Sequence, residues 1–157
     1  MASLFQLSGL SPEPFAALFA LADATLAARG IRRVRAEKKP GYPCRVSLED
    51  ADVGETLLLL PWEHQPSSSP YRASGPIFVR PGVARARPAA GAIPESIASR
   101  LLSVRVYDAD DMMVAAEVCE GKEVAALIER CFADARTRYI HLHNARRGCF
   151  ACRVDRT

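Results

Sequence analysis

The densest chemistry in the chain lies in Tyr139-Ile140-His141-Leu142-His143-Asn144-Ala145-Arg146-Arg147-Gly148-Cys149-Phe150-Ala151-Cys152, which holds two of the three histidines and two of the five cysteines. Imidazole serves as acid, base, hydrogen-bond donor or metal ligand near neutral pH. Guanidinium grips carboxylate or phosphate with forked, charge-assisted hydrogen bonds. On a strand, residues two apart share a face, so His141 and His143 point the same way with Tyr139 beside them. A second concentration of polar groups spans residues 62–76 and contains the third histidine, His64, with Tyr71, Arg72 and Ser74.

These residues support three readings. The first is a pocket for a small anionic or polar molecule, in an enzyme or a binding module. Arg72 and Arg147 hold the anion, His141 and His143 supply acid/base groups or donors, and Asn144 orients the ligand. Cys149 is a nucleophile if a neighbouring imidazole lowers its pKa, and closure of the 61–74 segment brings His64 and Arg72 toward His141 and His143. Tyr71, Ser74 and Arg45 are minor members, and this reading needs no cofactor. The second is a zinc-binding module using His141, His143, Cys149 and Cys152, since zinc takes four tetrahedral nitrogen or sulfur ligands. Against it, Cys-x-x-Cys chelates best from a tight knuckle, and these thiols stand in a strand-like run where they face opposite ways. A redox role for the thiol pair lacks the helix that would follow the first cysteine. The third reading is an interaction or assembly protein with no ligand.

The geometry turns on register. A two- or four-residue turn centred on Arg146-Arg147 sets His143 opposite Phe150 and His141 opposite Cys152. A three-residue loop exchanges the faces.

The elements that must position these groups alternate in period. Ser11-Pro12 opens a helix whose apolar face is Phe15, Leu18, Phe19, Ala22 and Leu26, ending at Gly30. Residues 33–36, 44–48, 57–60 and 77–80 read as strands, the apolar run 57–60 as a central one. Residues 61–74 and 81–93 read as loops. A short helix spans 94–101, and strands 103–107 and 113–118 form a hairpin. A second long helix spans 120–132, and strands 139–143 and 149–154 close the chain. Hairpins dominate, which predicts an α+β fold: a mostly antiparallel sheet with two longer helices packed on it, in one domain over residues 1–157. No Gly-rich phosphate loop follows a strand.

Composition agrees. Hydrophobic residues make 49% and charged residues 25% of 157, the balance of a folded globular chain. No segment approaches the ~20 apolar residues that span a bilayer, and no export signal stands at the start, so a cytoplasmic protein with reduced thiols and no membrane partner is expected. The net charge of +3 gives no basis for nucleic-acid binding. Charge is nonetheless blocky: residues 31–45 carry six bases and one acid, whereas 46–65 carry five acids and no Lys or Arg. Such blocks neutralise one another once the chain folds.

Three stretches resemble an uncharacterised bacterial family known as domain of unknown function 1203. They are Lys39-Pro40-Gly41-Tyr42-Pro43-Cys44-Arg45-Val46-Ser47-Leu48-Glu49-Asp50, Ser69-Pro70-Tyr71-Arg72-Ala73-Ser74-Gly75-Pro76-Ile77-Phe78-Val79, and His143-Asn144-Ala145-Arg146-Arg147-Gly148-Cys149-Phe150. The resemblance covers nearly the whole chain. It implies a stand-alone bacterial domain and brings no activity, substrate or residue role with it.

Overall fold

The computed structural model describes residues 5–157. Its strands are β1 (Phe5–Ser8), β2 (Arg32–Arg35), β3 (Thr56–Gln65), β4 (Ala73–Val79), β5 (Leu101–Tyr107), β6 (Met113–Glu120), β7 (Tyr139–Asn144) and β8 (Phe150–Arg156). The helices are α1 (Glu13–Ala16), α2 (Asp23–Ala28), α3 (Glu95–Ala98) and α4 (Val124–Phe132). The fold is α+β, with antiparallel pairing throughout the strand ladders, but the strands divide between two sheets. One has the order β1-β8-β7-β5-β6, the other β2-β3-β4.

Each sheet packs an apolar face against helices, and each is also covered in part on its other side, the larger over Tyr107, His141 and His143 and the smaller over Leu57. Strand alternation sends Leu102, Val104 and Val106 of β5, and Ile140 and Leu142 of β7, to the side covered by α4 through Val124, Leu127, Ile128 and Phe132. The opposite face of the same strands carries Ser103, Arg105 and Tyr107, and Tyr139, His141 and His143. In the smaller sheet, Leu58, Leu60, Ile77 and Val79 pack against Phe15 and Leu26 of the N-terminal helical segment.

That segment is not one helix. Helical turns at Glu13–Ala16 and Ala17–Ala20 stop at Leu21, which is extended, and α2 begins afresh at Asp23. The cause is Arg33, whose guanidinium takes Phe19 O at 3.2 Å, Leu21 O at 2.7 Å and the Asp23 carboxylate at 2.9 Å. These carbonyls are turned to the arginine instead of to a continuing helix.

Two further expectations are corrected. Residues 44–48 form no strand: Leu48 N donates to Cys44 O, Cys44 N donates to Glu49 O, and Leu48 has a φ of 54°. A chain closing on itself in this way has no free ladder to offer. Residues 61–65 are not loop but the second half of β3. Its pairing with β2 ends at Leu59, so Pro61 lies where no β2 residue needs its missing N–H, and it faces Pro76 across β4. The connection shrinks to residues 66–72, and β3 carries His64 and Gln65 beyond the edge of β2. Strand β1, which sequence periodicity did not reveal, pairs with β8.

The acidic block 46–65 meets the basic block 31–45 through Lys39 and is otherwise neutralised by Arg80 and Arg100 from outside it. Arg80 pairs with Glu55 at 2.8 Å, Arg100 with Asp50 at 2.7 Å and Lys39 with Asp52 at 2.6 Å.

Gly121, between β6 and α4, leaves no room for a side chain. It is buried, and a Cβ there would collide with the backbone oxygens of Ile97, Ala98 and Arg100. Backbone cannot rotate aside as a side chain can, so Gly121→Ala is expected to cost about 3 kcal/mol, at the upper end for overpacking. The shift in urea midpoint at constant m-value measures it.

Candidate functional site

His64, His141 and His143 converge. One ring nitrogen from each lies within 4.8 Å of the others. Ring centres are 4.9 Å apart for His64–His143, 6.2 Å for His64–His141 and 6.4 Å for His141–His143. The cluster is built from both sheets: β3 overhangs the polar face of the larger sheet and lowers His64 onto the two imidazoles of β7. His141 and His143 are 3% and 1% exposed, and His64 is half-buried.

Aromatic rings wall the cluster. Phe150 stacks on His64 at 5.4 Å and meets His141 and His143 edge-on at 5.1 and 5.7 Å. Tyr107 and Tyr139 each lie 5.2 Å from His141. The Tyr139 hydroxyl accepts from Gln65 Nε2 at 2.9 Å and donates to Asp111 at 2.5 Å. Asp111 O in turn accepts from Ser69 Oγ at 2.9 Å, which ties the 66–72 connection to the β5–β6 turn. Burial, followed by the Asp111 contact, pushes the Tyr139 hydroxyl up to about 12, so it stays protonated.

The three imidazoles are neutral at pH 7. Burial is the main cause in each case, with the positive charge of Arg105 adding to it. His141 is pushed down to about 3, helped also by the neighbouring His143, Arg153 and His64. His143 falls to about 4 against the opposing pull of Gly148 O. That carbonyl is 2.9 Å from His143 Nδ1. A carbonyl only accepts, so Nδ1 carries the proton and Nε2 keeps its lone pair. Nε2 of His143, Nδ1 of His141 and Nδ1 of His64 are all buried with no hydrogen-bond partner among the described residues. Buried polar nitrogens rarely go unpartnered, and three in one cluster mark it out.

A single bulge decides which side chains join. His143 stands opposite Phe150, but Leu142 stands opposite Cys152 and His141 opposite Arg153. The extra residue, Ala151, turns Cys152 to the other face, where it is 1% exposed in the core beside α4 and burial pushes its thiol up to about 12. Cys149 lies outside the strand, its sulfur near Arg147 O. The zinc set of His141, His143, Cys149 and Cys152 is therefore not assembled, and the side chain that joins His141 and His143 is His64.

The guanidinium groups assigned to an anion also stand elsewhere. Arg72 is exposed and paired with Glu63 at 3.0 Å. Arg147 is exposed in the hairpin turn. Arg45 is buried and donates to Phe150 O and Pro43 O, so it pins the backbone behind the aromatic wall. Asn144 faces a cavity of about 10 Å³ shared with Arg45 and Ser96, its Oδ1 unpartnered. Tyr71 meets the outer ring of the wall, Tyr107, edge-on at 6.1 Å. Ser74 lines a cleft of about 370 Å³ on the smaller sheet with Arg32, Leu60 and Pro76, and no histidine is among the residues that line it.

Sequence reasoning missed Arg105, Ser103 and Tyr107, which pair across β5 with His141, His143 and Tyr139. The alternation Ser103-x-Arg105-x-Tyr107 was the available signal: a polar face two residues in period, antiparallel to Tyr139-x-His141-x-His143.

No curated protein and no solved structure matches the chain. Residues 41–156, which carry all three imidazoles and their aromatic wall, match the family described as protein of unknown function, DUF1203, and the chain belongs to that family.

Proposed function

We propose that the protein binds a divalent transition-metal ion, with zinc as the reference, through His64, His141 and His143. Three protein nitrogens leave a fourth position for water or substrate, the pattern of zinc centres that do chemistry and not of closed structural ones. The observation that carries this reading is the convergence of three neutral imidazoles with buried, unpartnered nitrogens. Donors that are nitrogen alone suit zinc, copper, iron or nickel over calcium or magnesium. The hydrogen bond from His143 Nδ1 to Gly148 O is the outer partner that a ligating histidine usually has.

The spacing supports the fit. An ion held at about 2.05 Å from each nitrogen sets tetrahedral nitrogens about 3.4 Å apart and ring centres about 5.2 Å apart. The centres here span 4.9 to 6.4 Å, so loading draws the rings together by small rotations.

Protein purified without a histidine tag should take up about one equivalent of zinc, read by elemental analysis after dialysis. His64→Ala, at the least buried ligand, should weaken binding by at least about tenfold, whereas Cys149→Ser and Cys152→Ala should leave the stoichiometry unchanged. Retention of metal by His64→Ala, or its loss from the cysteine variants, would reject this ligand set.

A further inference from the structure

Arg105 stands at the imidazole cluster with four of its five N–H donors uncommitted among the described residues. It pairs directly with His141 across β5 and β7, and same-face neighbours in such a pair lie about 5 Å apart at Cβ. Its positive field reaches all three histidines. Its Nε donates to Ser103 Oγ at 3.2 Å, which fixes the plane of the guanidinium. Ser103 is itself the partner of His143. Neither Nη nitrogen has a protein partner, and no carboxylate neutralises the charge, among the described residues.

The contrast with Arg153 is informative, because it flanks His141 from the other side. Arg153 is paired with Asp155 at 2.9 Å and lies over the Tyr139 ring at 4.2 Å. One flanking guanidinium is thus engaged by the protein, and the other keeps both Nη nitrogens free to donate. A fixed guanidinium with free Nη groups is built to take an oxyanion.

We infer that the ligand of the metal centre is a small oxyanion-bearing molecule, a carboxylate or a phosphate, gripped by Arg105 beside the three imidazoles. The inference rests on the metal reading above. It moves the anion-holding role from Arg72 and Arg147 to a residue that their own chemistry resembles but whose position theirs does not. Ser103 is a positioning residue in this scheme, since it acts by orienting Arg105.

The test loads the full chain with Co²⁺, whose visible absorption reports both binding and coordination. The cobalt protein is titrated with acetate and, separately, with inorganic phosphate. Wild type should retain one equivalent of cobalt and show a saturable spectral change with at least one of the two anions. The anion that responds names the class. Arg105→Gln should keep the cobalt and lose at least about tenfold in anion affinity, with partial recovery in Arg105→Lys. Arg72→Gln and Arg147→Gln should bind the anion like wild type. A cobalt spectrum indifferent to both anions, or undiminished anion binding in Arg105→Gln, overturns the oxyanion inference and leaves the metal centre standing. Failure of wild type to hold cobalt overturns the metal reading itself.

Discussion

Metal-free protein is expected to lose about 4 kcal/mol of folding stability between pH 7 and pH 5, from His141 and His143 together. Both residues have an ordinary pKa near 6.5 in the unfolded chain, and burial pushes them down to about 3 and about 4 in the folded one. Above about pH 6.5 both states leave these rings neutral and the two contribute nothing. Below it the unfolded chain takes up protons that the folded chain refuses, so the folded state falls behind steadily. The loss is complete only once the pH has dropped through the folded values. A domain has about 5–15 kcal/mol in all, so an effect of this size should carry the protein close to its acid midpoint. Urea denaturation in EDTA at pH 7, 6 and 5 measures it. His141→Leu should remove about half of the difference, because one of the two proton-binding sites is then gone from the unfolded chain. A wild-type stability that stays flat from pH 7 to pH 5 contradicts the burial argument.

The second large effect is expected at Arg45, a buried cation. It is 4% exposed, and burial lowers its guanidinium to about 10, still protonated at neutral pH. Its donors satisfy Phe150 O and Pro43 O. Arg45→Met keeps the aliphatic stem and removes those donors, leaving two carbonyls without them at a cost of about 1–3 kcal/mol each. Release of a buried cation offsets part of this, and a net loss of about 3 kcal/mol follows. Arg45→Lys reaches one carbonyl at a time and should lose roughly half as much. The same variants should weaken zinc binding, since the Phe150 ring touches all three imidazoles and its backbone is what Arg45 holds. Thermal denaturation and zinc titration of the two variants are the measurements; an Arg45→Met protein as stable as wild type would show that the carbonyls find other donors.

Much of this was legible in the sequence, and the failures share a cause. The alternation of Tyr139-x-His141-x-His143 revealed one polar face because strand periodicity is local and strict. The α4 stripe revealed itself in the same way. What periodicity does not carry is how far a strand extends past its partner. Pro61 suggested the end of β3, yet it merely lies beyond the end of β2, and the residues after it bring His64 to the other two histidines. Nor does periodicity carry insertions in a ladder: Ala151 changes the face of Cys152 with no local mark in the sequence. The break at Leu21 is likewise set by Arg33, a residue distant in sequence, while Phe19 and Ala22 keep a helical spacing across it. Arg105 escaped notice because its significance comes wholly from the strand beside it.

The origin of the three imidazoles in different sheets has a mechanical consequence. His64 belongs to the smaller sheet, and His141 and His143 to the larger. Any ion they share would act as a rivet between two β-layers, so its arrival should be felt well beyond the centre. Amide hydrogens of β3 near His64 should exchange more slowly in zinc, and the overhanging half of that strand should stiffen while the part clasped by β2 hardly changes.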